Sequence, residues 1–349
     1  IVGDTSDLGT ITGSTRNNGQ PKTGTLHGLV QNKGSCEIWM SANGGSWVEQ
    51  DESNNPTSCI GGVSVAVDST DTLHLMWITE TGADPKYQTF STTTNTFTGS
   101  AEYISIWSTM GSTGVARIAV DSSDVPHAIY YGTDISTEIE YNNKVGGSWN
   151  SDGVTLKIIT AQTISADLTI NEDDIPEVTY LFSSDNSLYA EVGNANDASS
   201  FTEHTVDSNV NITAGERANS IAVDQSGNTW IAYIDEDGTD DYVNLALHMD
   251  GSGWTTWEEP IETTNVGYEP SIAVITSDIY VFYQDDSTDQ KIVYNKYNLE
   301  DAAWSGETVL QTPGSGEDYQ DVHVKWSNYN NNDGYLIDYI YTDGSDSYW

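Results

Sequence analysis

One phrase recurs about every fifty residues along this chain: apolar-Ala-Val-Asp, a short polar turn, then an aromatic-rich run. The copies are VAVDSTDTLHLMWI (Val65–Ile78), IAVDSSDVPHAIYY (Ile118–Tyr131), LTINEDDIPEVTYL (Leu168–Leu181), IAVDQSGNTWIAYI (Ile221–Ile234) and IAVITSDIYVFYQ (Ile272–Gln284), with a weaker copy at Val322–Ile340. Taking Val67, Val120, Ile170, Val223, Val274 and Lys325 as equivalent, the steps are 53, 50, 53, 51 and 51 residues. A repeat of this length made only of strand-like runs is the signature of a β-propeller.

Each unit reads as four strands, A to D. Strand A is the continuous apolar run, as expected of a strand covered on both faces. The A–B turn carries the small polar residues that tight hairpins need. Strand B holds an aromatic at a fixed offset: Trp77, Tyr130, Tyr180, Tyr233 and Tyr283. Strand C follows an acidic loop. A second register appears at the C–D turn, where Trp47, Phe97, Trp149, Phe201, Trp254 and Trp304 are spaced 50, 52, 52, 53 and 50 apart. Rings at such positions fill the wedge between neighbouring sheets.

Five complete units span about 59–110, 111–163, 164–215, 216–265 and 266–315. The partial units 1–58 and 316–349 flank them, so 1–349 is expected to be a single propeller domain. Strands from both termini would close one shared blade, which makes seven four-stranded blades. Six is the alternative if the first 20 residues are only a lead-in. Sustained helical periodicity is absent. The chain starts at Ile1 and stops on DSYW, which reads as a processed or excerpted segment that continues.

Charge limits the function. Fifty-three Asp and Glu face 11 Lys and Arg, a formal net charge of −42. Such a surface excludes nucleic acid and anionic membranes as partners. No run reaches the roughly 20 apolar residues of a membrane span, so no membrane insertion is expected. Self-repulsion on this scale is relieved by salt, because the screening length falls from ~10 Å at 0.1 M to ~3 Å at 1 M. A halophilic, marine or calcium-rich setting fits. The two cysteines, Cys36 and Cys59, read as one disulfide of a secreted chain. One sequon, Asn211-Ile212-Thr213, points the same way.

The turns SANGGSW (Ser41–Trp47), VGGSW (Val145–Trp149) and DGSGWTTW (Asp250–Trp257) resemble the degenerate Asp-box turns of sialidase-like propellers. They also resemble the Gly-Ser-Gly-Trp turns of seven-bladed fucose-type lectins. The resemblance spans nearly the whole chain through short motifs, and it implies fold more than function. Sialidases would require three clamping arginines and a Tyr with an acidic partner. This chain holds only Arg16, Arg117 and Arg217, and the Arg-Ile-Pro entry motif of that family is missing.

Arg117 and Arg217 precede or open a strand A, where a guanidinium fork can hold a carboxylate or sulfate. Together with Tyr268 and Tyr319 they form the expected ligand-binding set. His27, His74 and His127 share one strand-B position in successive units, where a buried hydrogen-bonded state competes with an acid–base or metal role. The densest B–C loop, Asp235 to Asp241, offers Asp235, Asp237, Asp240 and Asp241 as hard ligands for Ca²⁺. No catalytic constellation stands out, and the reading leans against an enzyme.

The leading expectation is an extracellular, non-enzymatic binding or adhesion propeller on a microbial surface or a viral fibre or spike. Its partner would be a glycan or a surface protein. The alternative is a structural module of a surface layer, sheath or virion, as a homo-oligomer or larger assembly. A polysaccharide lyase or glycosidase is the second alternative.

Overall fold

The computed structural model describes residues 11–14, 25–32, 35–42, 48–79, 84–105, 114–132, 138–151, 153–158, 163–182, 186–210, 218–224, 226–236, 241–249, 254–257, 270–275, 278–285, 291–312, 320–326, 337–342 and 347–348. These residues form seven antiparallel sheets, each built from strands consecutive in sequence. Sheet I contains β1 (Ile11–Ser14), β2 (Thr25–Asn32), β3 (Ser35–Ala42) and β4 (Val48–Gln50). Sheet II contains β5 (Cys59–Val67), β6 (Thr72–Thr79), β7 (Pro85–Ser91) and β8 (Thr96–Tyr103). Sheet III contains β9 (Gly114–Val120), β10 (Pro126–Gly132), β11 (Glu138–Asn143) and β12 (Val154–Ile158).

Sheet IV contains β13 (Thr163–Ile170), β14 (Pro176–Phe182), β15 (Ser187–Gly193) and β16 (Phe201–Asp207). Sheet V contains β17 (Asn219–Val223), β18 (Thr229–Glu236), β19 (Asp241–His248) and β20 (Trp254–Trp257). Sheet VI contains β21 (Ser271–Ile275), β22 (Asp278–Asp285) and β23 (Lys291–Asn298). Its outer edge is split into β24 (Ala303–Trp304) and β25 (Thr308–Gln311), which both pair with β23. Gly306, at φ +83°, lies between them and breaks the strand. Sheet VII contains β26 (Gln320–Trp326), β27 (Ile337–Thr342) and β28 (Ser347–Tyr348). The only helical pieces among the described residues are the single 3₁₀ turns Glu52–Asn54 and Val145–Gly147.

The six strands A fall where the repeat places them, and β1 shows that the first twenty residues contribute a strand to sheet I. The residues that precede β1, expected to close the ring, lie outside the described residues. Two compact units divide the chain: Ile1–Ile159 with Lys325–Ile340 and Ser345–Trp349, and Thr160–Val324 with Tyr341–Gly344.

In the first unit, Leu73, Leu75 and Trp77 of β6 pack with Cys36 and Ile38 of sheet I. The alternate residues Met76 and Ile78 pack with Ala116, Ile118 and Tyr130 of sheet III. Strand B is therefore apolar at nearly every position because each of its faces meets another sheet. The second unit repeats this: Ile231 and Tyr233 join a core with sheet IV, while Trp230 and Ala232 join one with sheet VI. The aromatics of the C–D register act as wedges, with Phe97, Trp149, Trp254 and Trp304 each half-buried against one of these cores. Cys36 and Cys59 form the disulfide, which ties β3 to the start of β5. By loop-entropy arithmetic a closure of this length stabilises by about 3 kcal/mol.

Candidate functional site

The repeated acidic residue after strand A builds the turn. Asp68 Oδ1 accepts the backbone N–H groups of Thr70 and Thr72, both at 2.8 Å. Asp121 does the same for Ser123 and Val125, Asn171 for Asp173 and Ile175, and Asp224 for Ser226 and Asn228. The chain reverses through a left-handed residue: Asp71, Asp124, Asp174 or Gly227. Short polar side chains and Gly tolerate that conformation. At Gly227 space also matters, since a Cβ would stand 2.5 Å from Glu172 Oε1 on the neighbouring turn. Adjacent turns bond directly as well: Asp124 accepts both Ser69 N–H and Ser69 Oγ–H.

The second oxygen of each turn carboxylate meets the strand-B position where the sequence repeats histidine. Asp68 Oδ2 lies 3.2 Å from His74 Nε2, and His74 Nδ1 lies 2.7 Å from Tyr87 Oη. Asp121, His127 and Tyr141 repeat the set at 3.3 and 2.5 Å. A carboxylate can only accept, so the imidazole proton sits on Nε2 and the tyrosine donates to Nδ1. The chain Tyr–His–Asp orients a histidine as an acid–base site would. Its setting differs: His127 is 0% exposed and Tyr141 is buried beside it. Burial also holds His74 below its ordinary pKa, against the opposing pull of Asp68. It pushes the Tyr87 phenol up, with Glu102 and Asp68 adding to the shift. Trp149 sits edge-on to Tyr87 at 5.1 Å, and Lys144, paired with Glu102, lies 4.5 Å above the same ring. The side chain of His27 lies outside the described residues.

A second repeated feature has no signal in the single-chain pattern. Two strand-B tyrosines, Tyr180 and Tyr233, bring their hydroxyls to acids. Tyr180 Oη stands 3.0 Å from Glu191 Oε1 and 3.1 Å from Glu203 Oε2, and Tyr233 donates to Asp207 Oδ2 at 2.8 Å. Burial drives the phenols of Tyr130 and Tyr180 strongly up, and the neighbouring Glu140, Glu191 and Glu203 reinforce it. Tyr180 and Tyr233 are buried, and their hydroxyl protons are committed to these acids.

Arg117 occupies a special place on strand A. Three residues before the first five repeat markers stand Ser64, Arg117, Asp167, Ser220 and Ser271. Ser64 Oγ accepts Ile118 N–H from the next sheet at 3.1 Å. Asp167 Oδ2 accepts Ser220 Oγ–H and Ile221 N–H at 3.1 and 3.2 Å, and Ser220 Oγ accepts Ile272 N–H at 3.4 Å. These side chains sew neighbouring inner strands together. Arginine has no acceptor to give. In sheet IV, Leu168 N–H is capped by Oδ1 of Asp167 beside it. Arg117 is half-buried, and its Nη1 donates to Ala116 O at 2.8 Å.

Most of the other expected site residues fall outside what the structure describes. Arg217, Tyr268, Tyr319, Asp237 and Asp240 lie outside the described residues. Asp235 is the penultimate residue of β18, opposite Tyr242, and Asp241 opens β19 in register with Glu236. Among the described residues, no group of three or more His, Cys, Asp or Glu is placed to hold a metal. No helix there is long and apolar enough to cross a membrane.

No family model and no curated protein matches the chain. Solved structures do. A PL25 ulvan lyase bound to -[GlcA(1-4)Rha3S]- shares 10% identity at a TM-score of 0.63, covering 100% of this chain and 95% of that one. The polysaccharide lyase Uly1 shares 11% identity at 0.56, covering 99% and 88%. The Hadza microbial sialidase Hz136 shares 9% identity at 0.54, covering 94% and 73%. Likeness at this identity speaks to architecture alone, and with the consecutive four-stranded sheets it identifies the chain as an all-β protein of the β-propeller fold.

Proposed function

We propose that this chain is an extracellular, non-enzymatic propeller that binds a glycan on a microbial surface or a viral fibre. The observation that carries this reading is the state of its histidine–tyrosine pairs. His74 with Tyr87 and His127 with Tyr141 are buried and bonded within their own sheets. Residues of the types that would do acid–base chemistry are spent on holding turns. The disulfide supports an oxidising compartment, and the similar lyases and sialidase are carbohydrate-active by their descriptions.

Charge narrows the ligand. A chain of net charge −42 repels uronate and sulfate polymers at low salt. Neutral glycans escape this penalty. Acidic ones need local compensation, from Arg117 and Arg217 or from Ca²⁺ bridged by Asp235, Asp237, Asp240 and Asp241. A glycan array in high salt, read with calcium and again with chelator, tests the proposal. Specific binding to neutral glycans in both conditions is the expected result. Binding that chelation abolishes would assign the ligand to the acidic hairpin. Silence in both would overturn the glycan reading in favour of a structural module.

A lyase is the second reading, favoured by Arg117. A guanidinium at an inner strand position offers the bidentate fork that stabilises a uronate carboxylate. Release of unsaturated uronate products, lost in Arg117→Ala, would establish it.

A further inference from the structure

Sheets IV and V meet along a seam whose outer end carries polar groups that the fold leaves unused. His204 on β16 stands opposite Ala190, which belongs to the core shared with sheet V. His204 therefore faces sheet V. Across the seam, Thr229 stands opposite His248, and His248 opposite Trp254, in one row of sheet V. Trp254 packs on that same core, so the row faces sheet IV. The two imidazole rings lie 6.1 Å apart, tilted by 37°. Trp254 stacks on His248 at 5.0 Å and 19°.

These groups lack partners. Among the described residues, no hydrogen bond or ion pair engages either imidazole. Thr229 is 0% exposed and its Oγ1 is unpartnered, as is the buried Nε1 of Trp254. Buried polar groups are nearly always satisfied, so such a row marks a place where something else binds. Both histidines are half-buried, which leaves a path from solvent.

We propose that this seam binds a divalent transition cation of the zinc, nickel or copper class, held by His204 and His248 with water completing its shell. Imidazole is a preferred ligand of these ions, whereas calcium and magnesium select oxygen donors. Metal–nitrogen bonds of about 2.0–2.1 Å place a cation about 3 Å from each ring centre, so two rings sharing it stand about 5–6 Å apart. The observed separation is at the upper end of that span, and a small side-chain rotation closes it. Metal-bound water supplies the acceptor that Trp254 Nε1–H lacks and a partner for the Thr229 hydroxyl. The strongly negative field of the chain raises the local concentration of cations.

The test is calorimetric titration of the full chain with Zn²⁺ and Ni²⁺ at pH 7.5, in excess Ca²⁺ to occupy surface carboxylates. One site per chain is expected, weakened at least tenfold in both His204→Gln and His248→Gln. A check that needs no variant is broadening of wild-type histidine ring NMR signals by sub-stoichiometric Cu²⁺. Selective broadening of His204 and His248 supports the site. Unchanged affinity in the variants, or broadening that spares these two residues, overturns it.

Discussion

Sheets III and IV use the same backbone turn and fill it with opposite chemistry. In sheet III, the carboxylate of Asp121 accepts from His127 across the base of the hairpin. In sheet IV, the turn residue is Asn171, and its amide donates to Glu177 at the histidine position, at 2.9 Å. Sheet V returns to an acid, Asp224, and now Trp230 Nε1–H donates to it at 3.0 Å. Donor and acceptor exchange places while the two turn hydrogen bonds stay. Sheets II to V each place a complementary pair at these two positions, and only two of them use histidine; sheet VI, with Ile275 and Tyr280 there, does without one. This is why the histidine series reads as architecture.

The comparison can be broken at the turn itself. Asp121→Ala removes the acceptor of two backbone amides and of His127 at once. It is expected to destabilise by about 3 kcal/mol, since each buried group left unpaired costs about 1–3 kcal/mol. Chemical denaturation of the full chain measures it. Next in size, Asn171→Asp sets two carboxyl groups against each other in sheet IV, at a cost of about 2 kcal/mol. Adding Glu177→His rebuilds the Asp–His pair of sheet III, without its tyrosine, and should recover part of that loss. No recovery would show that the pair is not exchangeable.

The inner seam offers a smaller test. Ser220→Ala deprives Ile272 N–H of its acceptor and Asp167 of a donor, and is expected to cost about 1 kcal/mol. The smallest effect is a pH slope. His74 is held below its ordinary value of 6.5 by burial, so acid favours the unfolded state, which protonates more readily. Its contribution is complete above 6.5 and falls as pH drops below it, by at most ~1.4 kcal/mol per pH unit. Asp68 follows lower on the scale. Burial works against its carboxylate, but hydrogen bonds from Thr72, Thr70 and His74 outweigh that and depress its pKa. Its contribution is lost as pH falls further, through that depressed value. His74→Gln should remove the upper part of the slope and leave the lower part.

Much of this was legible in the sequence. A fifty-residue period and a fixed aromatic offset place strands A and B, because every unit must bury the same two faces. Two cysteines near a unit boundary sufficed for the disulfide. The caps from Ser64, Asp167 and Ser220 were not legible, nor were the acids that receive Tyr180 and Tyr233. Those contacts join residues from different strands or sheets, and a linear pattern does not say which side chains meet across a seam. His204 and His248 escaped for the same reason: 44 residues apart in sequence, their rings meet only once sheets IV and V pack.

The central claim is that the strand-B histidines His74 and His127 hold turns rather than catalyse. Wild type and a His74→Gln/His127→Gln double variant should be compared against neutral and uronate-containing polysaccharides in high salt, with both binding and chain cleavage recorded. The account predicts that both proteins bind, that neither cleaves, and that the variant differs only by a lower thermal midpoint. Cleavage by the wild type that disappears in a folded double variant would contradict it.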